Sequence, residues 1–245
     1  MLKQANTLTS RQVEKRASVL KSFQENMVHA PERDARHVSP CGRYMVLQKS
    51  YAHKDKGYWG YTEGVLYDGD EIIGAVKRNY PSLMFSWVTD HPDGHDYLVT
   101  SEIYQGQTII RLDTRERVDY LGAEEVKGWG WIWASVKPSP CKTMLAVEGC
   151  VWGDIYTVKV FDFSAPFGTL ELLFTSEGGE IRECYWNPDG TLAYEMEYEY
   201  NLVLGKPDFE MTSEEWDLMD QLEEDGKPYS EIYEDRITSF VWHRD

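Results

Sequence analysis

Two histidines, His91 and His95, share the segment HPDGHD with Asp93 and Asp96, and four such donors within six residues raise the question of a metal site. A His-x₃-His pair delivers both rings to one ion when it lies on a helix. Here Pro92-Asp93-Gly94 reverses the chain between the two rings, so the pair is expected to part, and no metal is assigned. Covalent chemistry finds no better footing. The chain has no G-x-S-x-G elbow, no HExxH, no phosphate-cradling loop and no dinucleotide GxGxxG. No residue is assigned a catalytic role and no cofactor is expected.

Recognition chemistry is better represented. Glycine-flanked aromatics recur in KGYWGYTEG (56–64), EIYQGQ (102–107), VKGWGWIW (126–133) and VWGDIY (151–156). Tyr and Trp beside charge make up the centres of protein-binding surfaces. The candidate binding residues are therefore Tyr58, Trp59, Tyr61, Tyr104, Trp129, Trp131 and Trp152, with Glu124, Glu125 and Asp154 as an acidic rim. Packing inside the fold is the competing use of these rings. A second candidate is AYEMEYEY. With a strand period of two, Glu195, Glu197 and Glu199 fall on one side, opposite Tyr194, Met196, Tyr198 and Tyr200. Such a carboxylate stripe suits solvent, calcium or a basic partner.

Whether these residues meet depends on the elements that carry them, and the elements repeat. Ser39-Pro40-Cys41-Gly42, His91-Pro92-Asp93-Gly94, Ser139-Pro140-Cys141-Lys142 and Asn187-Pro188-Asp189-Gly190 place prolines 52, 48 and 48 residues apart. Pro presets φ, Ser or Asp bonds to its own backbone, and Gly allows positive φ, so each cluster reverses one strand into the next. Apolar or aromatic runs (ARHV, LMFSWV, WIWASV, CYW) precede the turns, and RYMVLQ, DYLVTS, TMLAVE and TLAYEM follow. A third strand then ends in Asp (GVLYD, IIRLD, VKVFD, FVWHRD), and three units add a fourth (EIIGAVK, RVDYLG, LELLF).

A four-stranded unit of this length, repeated, is the pattern of a propeller blade, which buries its apolar faces only against neighbouring blades. The motif resembles the repeat of WD40-like and TolB-like β-propellers, in which an aromatic strand and S/N-P-D-G-x-x-L-A open each blade. NPDGTLAYE and HPDGHDYLV match it well, SPCGRYMV fairly, and SPCKTMLAV lacks the glycine. The resemblance spans about residues 35–245 and implies a fold, not an activity. The expected fold is an all-β, propeller-like array of about four blades, near 35–81, 82–128, 129–179 and 180–245. In such an array the loops after the second and fourth strands emerge together, which would bring the candidate aromatics onto one face.

Two segments depart from the repeat. Residues 1–34 are read as an N-terminal segment whose amphipathic helix starts at a Thr9–Gln12 capping box, aligns Val13, Ala17, Leu20 and Met27, and stops at Pro31. Glu14 and Glu25 fit a transit signal poorly. An insertion near 202–235 in the last blade carries a second helix, with Thr212 and Glu215 as its capping box and Trp216, Met219 and Leu222 on one face. Four blades are few for a closed ring, and the fourth lacks an outer strand. An open array, or a homodimer completing the ring, follows.

The chain of 245 residues carries a formal charge of −17, and its first thirty residues hold five bases against two acids. The body is therefore more acidic still, and it should repel nucleic acid and anionic membranes while attracting basic partners. No apolar run is long enough to span a membrane and no secretory core opens the chain, so a cytoplasmic location is expected. Cys41, Cys141, Cys150 and Cys184 form no CxxC pair and are expected as buried free thiols. The function these observations favour is a non-catalytic binding or adaptor module that recognises a protein or peptide, basic in character, through the aromatic face. A carbohydrate or small-molecule binder, a propeller-type hydrolase and a nucleic-acid-mimicking inhibitor are the alternatives.

Overall fold

The four proline turns close in the same way. The computed structural model describes residues 1–55, 60–102, 106–120, 130–151 and 154–244. In each turn the first residue, Ser39, His91, Ser139 or Asn187, bonds through its N–H across the turn, to Tyr44, His95, Met144 or Thr191. Its carbonyl then receives the N–H of the tip residue, Gly42, Gly94, Lys142 or Gly190, at 2.9–3.0 Å. All four tips are left-handed, with φ of 75°, 87°, 67° and 88°. The third turn thus keeps the shape with a lysine where the others use glycine. The geometry is enforced from outside the tip residue.

The chain opens with β1 (Lys3–Gln4), helix α1 (Ser10–Glu25) and β2 (Met27–His29). The first sheet follows as β3 (Ala35–Val38), β4 (Tyr44–His53), β5 (Gly60–Asp68) and β6 (Glu71–Arg78), with β2 also paired to β4. The second contains β7 (Phe85–Val88), β8 (Tyr97–Thr100), β9 (Gln107–Arg111) and β10 (Glu116–Tyr120). Its edge is extended by β1, which pairs with β10 in parallel. The third is β11 (Ile132–Pro138), β12 (Met144–Cys150), β13 (Thr157–Asp162) and β14 (Leu172–Thr175). In the fourth, β15 (Glu180–Trp186) pairs with β16 (Leu192–Asn201), which also pairs with the short β17 (Lys206–Pro207) and with β18 (Tyr233–Trp242). Except at β1, neighbours run antiparallel. The chain is all-β in its framework, as the repeat predicts.

Strand alternation decides what packs. Tyr44, Val46 and Leu66 of the first sheet meet Leu98 and Ile110 of the second. Val99, Ile109 and Val118 on the other side of the second sheet meet Trp133, Leu145 and Val147 of the third. Ala146, Val158 and Val160 then meet Cys184, Leu192 and Tyr194 of the fourth. Each fully buried aliphatic side chain contributes about 1.5–3 kcal/mol, so these three interlayers dominate the stability. Among the described residues no core cluster joins the fourth sheet back to the first.

The two longer helices start where the capping boxes put them, at Thr9 with Gln12 and at Thr212 with Glu215. Beyond its start α1 differs from expectation. It ends at Glu25, and Met27–His29 is a strand paired with β4, so Met27 leaves the helix before Pro31. Val13 and Leu20 are exposed, whereas Gln12 and Val19 are buried. The packed face is the Gln12–Arg16–Val19–Phe23 line, because a buried polar network, not an apolar stripe, holds the helix down. In the insertion, α2 (Ser213–Glu224) buries Met219 beside Ile232 and Tyr233, with Leu222 packed on them. Trp216 stacks on Tyr233 at 6.3 Å but keeps an exposed edge.

The third strand of the last unit is longer than FVWHRD implies: β18 begins at Tyr233 and pairs along all ten residues of β16. The cysteines are free, but not uniformly buried. Cys184 is interior, while Cys41 and Cys141 are exposed, because each follows the proline at a turn tip.

Candidate functional site

Of the ten candidate binding residues, Tyr58, Trp59, Tyr104, Glu124, Glu125, Trp129 and Trp152 lie outside the described residues. The other three have different surroundings. Tyr61 is half-buried, edge-on to Phe23 of α1 with ring centroids 5.4 Å apart. Trp131 is a core ring and not an exposed platform: it is 8% exposed and its Nε1 donates to Thr157 Oγ1 at 3.1 Å. Gly149 makes room for it, since a Cβ there would meet the indole at 2.9 Å. Asp154 is exposed and accepts the Ile155 N–H at 2.8 Å. The two histidine rings both lie edge-on to Tyr97 and take different partners. His91 is buried with Nε2 3.0 Å from the Phe163 carbonyl, and His95 Nδ1 lies 2.7 Å from Asp113 Oδ2.

The most strongly charged interior cluster docks α1. Arg16 donates to Glu102 Oε2 at 2.7 Å and to Asp119 Oδ2 at 2.8 Å. Arg117 donates to the same two carboxylates, at 2.7 and 2.5 Å, and Thr108 to Asp119 at 2.7 Å. Burial alone would raise the Asp119 pKa; the Arg117 charge and hydrogen bonds outweigh it and hold the carboxyl below its ordinary range. Every charge here has a partner, which suits holding a helix in place and leaves no group poised for proton transfer. The sequence hides this cluster because its members come from α1, the loop after β8, β9 and β10.

The outer side of the fourth sheet is arranged differently. Leu192, Tyr194 and Met196 of β16 face the core, so Ala193, Glu195, Glu197 and Glu199 face away. Register then sets like charges directly opposite one another three times: Glu180 across from Glu197, Glu183 from Glu195, and Glu199 from Asp235. Opposed like charges destabilise a sheet. Compensation is thin: Arg182 pairs with Glu197 and lies 3.5 Å from Glu180, the Tyr229 hydroxyl donates to Glu199, and the Ser239 hydroxyl donates to Glu195 at a long 3.4 Å.

Beside this face opens a groove of about 500 Å³. Its apolar lining is Ile155, Tyr198 and Phe209, and its charged lining is five carboxylates (Glu180, Glu197, Glu199, Asp208, Asp235) with one guanidinium, Arg182. Gly178 makes the groove possible. At φ 90° its missing Cβ would sit 2.2 Å from the Phe209 ring, so only glycine lets the insertion lie against the sheet. Burial, then the neighbouring Glu199 charge, pushes the Asp208 carboxyl upward, against the Phe209 N–H that lowers it. Among the described residues no group of three or more His, Cys, Asp or Glu is placed to hold a metal, because the acids are spread along strands. What such a surface offers is a row of anionic acceptors beside an apolar floor, suited to cationic groups on a partner.

No family model matches the sequence. An uncharacterized protein of Acanthamoeba polyphaga mimivirus is 33% identical over 132 residues, which are 53% of this chain and 51% of that protein. The chain thus spans about half the length of the curated relative it matches. Among solved structures, one from Bacteroides uniformis, described as a possible 6-phosphogluconolactonase, covers 71% of this chain and 52% of its own at 19% identity and a TM-score of 0.37. An engineered GH43 glycoside hydrolase covers 77% and 41% at 10% identity and a TM-score of 0.32. At these scores the likeness decides neither fold nor function.

Proposed function

We propose that this chain is a non-catalytic binding module, an open propeller-like array of four blades, that docks a basic and partly apolar protein or peptide surface on the outer side of its fourth sheet. The propeller reading is supported by four sheets that pack in chain order through like turns. The binding reading rests on one observation, the three directly opposed carboxylate pairs beside a groove with an apolar floor. Directly opposed carboxylates cost the fold stability that the few compensating contacts only partly return. A cationic partner relieves the repulsion and takes up the acceptors.

Fluorescence anisotropy with a labelled peptide of alternating Lys and Leu tests the reading. Binding at low ionic strength that falls steeply with added salt is expected, with no binding of the Glu/Leu counterpart. Equal binding of both peptides, or binding indifferent to salt, overturns it.

A further inference from the structure

We infer that the partner docked on the fourth sheet is a second copy of this chain, presenting the outer side of its first sheet, so that two copies pair head to tail through two equivalent contacts. The inference rests on the reading of the fourth-sheet face above and adds the identity of the partner.

Core clusters join the first sheet to the second, the second to the third and the third to the fourth, which leaves one outer side at each end of the array, with Phe23 of α1 packed on Tyr51, Tyr61 and Lys77 at the end of the first sheet away from its turn. The two outer sides match in the row beside the turn and in charges beyond it. On the first sheet, the row next to the proline turn is Val38, Met45, Tyr67 and Ile72, set side by side by register. Val38 is 60% and Ile72 57% exposed. On the fourth sheet the row next to its turn is Tyr185, Ala193 and Val241, with Tyr185 49% and Val241 54% exposed.

Moving away from the turn, both outer sides become charged, with opposite sign. The first sheet presents Arg36 at the edge of a row completed by Leu47, Val65 and Ala75, then Lys49 and Lys77 around the single carboxylate of Glu63. Lys77 reaches Glu63 at 3.4 Å, while Arg36 and Lys49 make no ion pair among the described residues. The fourth sheet presents Glu183 with Glu195, then Glu180 with Glu197. If a second copy continues the stacking sense that already relates the four sheets, apolar row meets apolar row, Arg36 meets the Glu183–Glu195 pair and Lys49 meets Glu180 and Glu197. Sheets pack face to face about 10 Å apart, near enough for these side chains to touch. A contact of this kind repeated on both ends closes as a twofold pair.

The test is mass measurement by light scattering on the full chain at low salt. The wild type is expected as a dimer. A variant with Arg36→Glu and Lys49→Glu, and another with Glu183→Lys and Glu195→Lys, are each expected as monomers, since each sets like charges against like. Mixed in equal amounts, the two should form a heterodimer, because both contacts then pair opposite charges again. The mixture also serves as the folding control, as unfolded variants cannot restore it. A monomeric wild type, variants that still dimerise, a mixture that stays monomeric, or open chains longer than two overturn the inference. A monomeric wild type that nevertheless binds the Lys/Leu peptide removes the second copy and leaves the binding reading standing. One that binds nothing removes both.

Discussion

Glu183 on β15 and Glu195 on β16 stand directly opposite each other on the outer side of the fourth sheet, while their neighbours Cys184 and Tyr194 form a pair in the core. One strand pairing therefore carries both a stabilising contact and a repulsive one. Replacing Glu183→Lys turns the repulsive pair into an attractive one and should raise stability by about 0.2–1 kcal/mol. Urea denaturation reads the gain as a higher midpoint at unchanged slope. The same variant should bind the basic peptide less well, the pattern of a surface kept for binding at some cost in stability.

The third proline turn carries a different strain. Lys142 occupies φ 67°, a region that disfavours residues with a Cβ. Lys142→Gly should stabilise the fold by roughly 0.5–1 kcal/mol, the gain in backbone strain being partly offset by the greater entropy of unfolded glycine. The mirror change, Gly190→Ala, should destabilise by about 1 kcal/mol, and since a Cβ there meets nothing within 4 Å, the loss is backbone strain alone. Thermal unfolding of the two variants should move in opposite directions.

The buried ionic cluster under α1 predicts both a mutational and a pH response. Arg117→Met leaves Glu102 and Asp119 short of a buried cation and should cost about 3–5 kcal/mol. Asp119 titrates below its ordinary value in the folded chain, through burial outweighed by Arg117. Its contribution is therefore complete above the unfolded aspartate pKa, about 3.9, and is lost as pH falls through the lower folded value. Hydrogen exchange of the α1 amides should accelerate in that acid window, before the third and fourth sheets open.

The four thiols should separate by reactivity. Burial acts on Cys141 but is outweighed by hydrogen bonds with Ser139 and Thr143, which lower its pKa. Burial, reinforced by the Glu148 charge, pushes the Cys184 thiol up to about 12. With a maleimide at pH 7, Cys141 should label promptly and Cys184 only after denaturation, as peptide mapping by mass spectrometry would record.

The sequence carried the framework in its turns. Four proline clusters about 50 residues apart announced four sheets, because Pro, Gly and an Asx or Ser side chain act locally, and local chemistry is readable one segment at a time. Both helix starts were legible for the same reason, at Thr9 and Thr212. The packed side of α1 was not. Its partners Glu102 and Asp119 lie 86 to 107 residues away, and no periodicity within the helix reports them. Trp131 misled for a related reason, since a glycine-flanked tryptophan looks alike whether it faces solvent or fills the space left by Gly149. The alternation in AYEMEYEY gave the acid side of β16, but only the register with β15 and β18 set acids opposite acids.

The claim that this acid side binds a basic partner is tested most directly by removing its charge without changing its shape. A variant with Glu183→Gln, Glu195→Gln and Glu199→Gln should fold at least as stably as the wild type and bind the Lys/Leu peptide about tenfold or more weakly, a loss of roughly 1.4 kcal/mol or more. A dissociation constant unchanged from the wild type, in a variant shown to be folded, would contradict it.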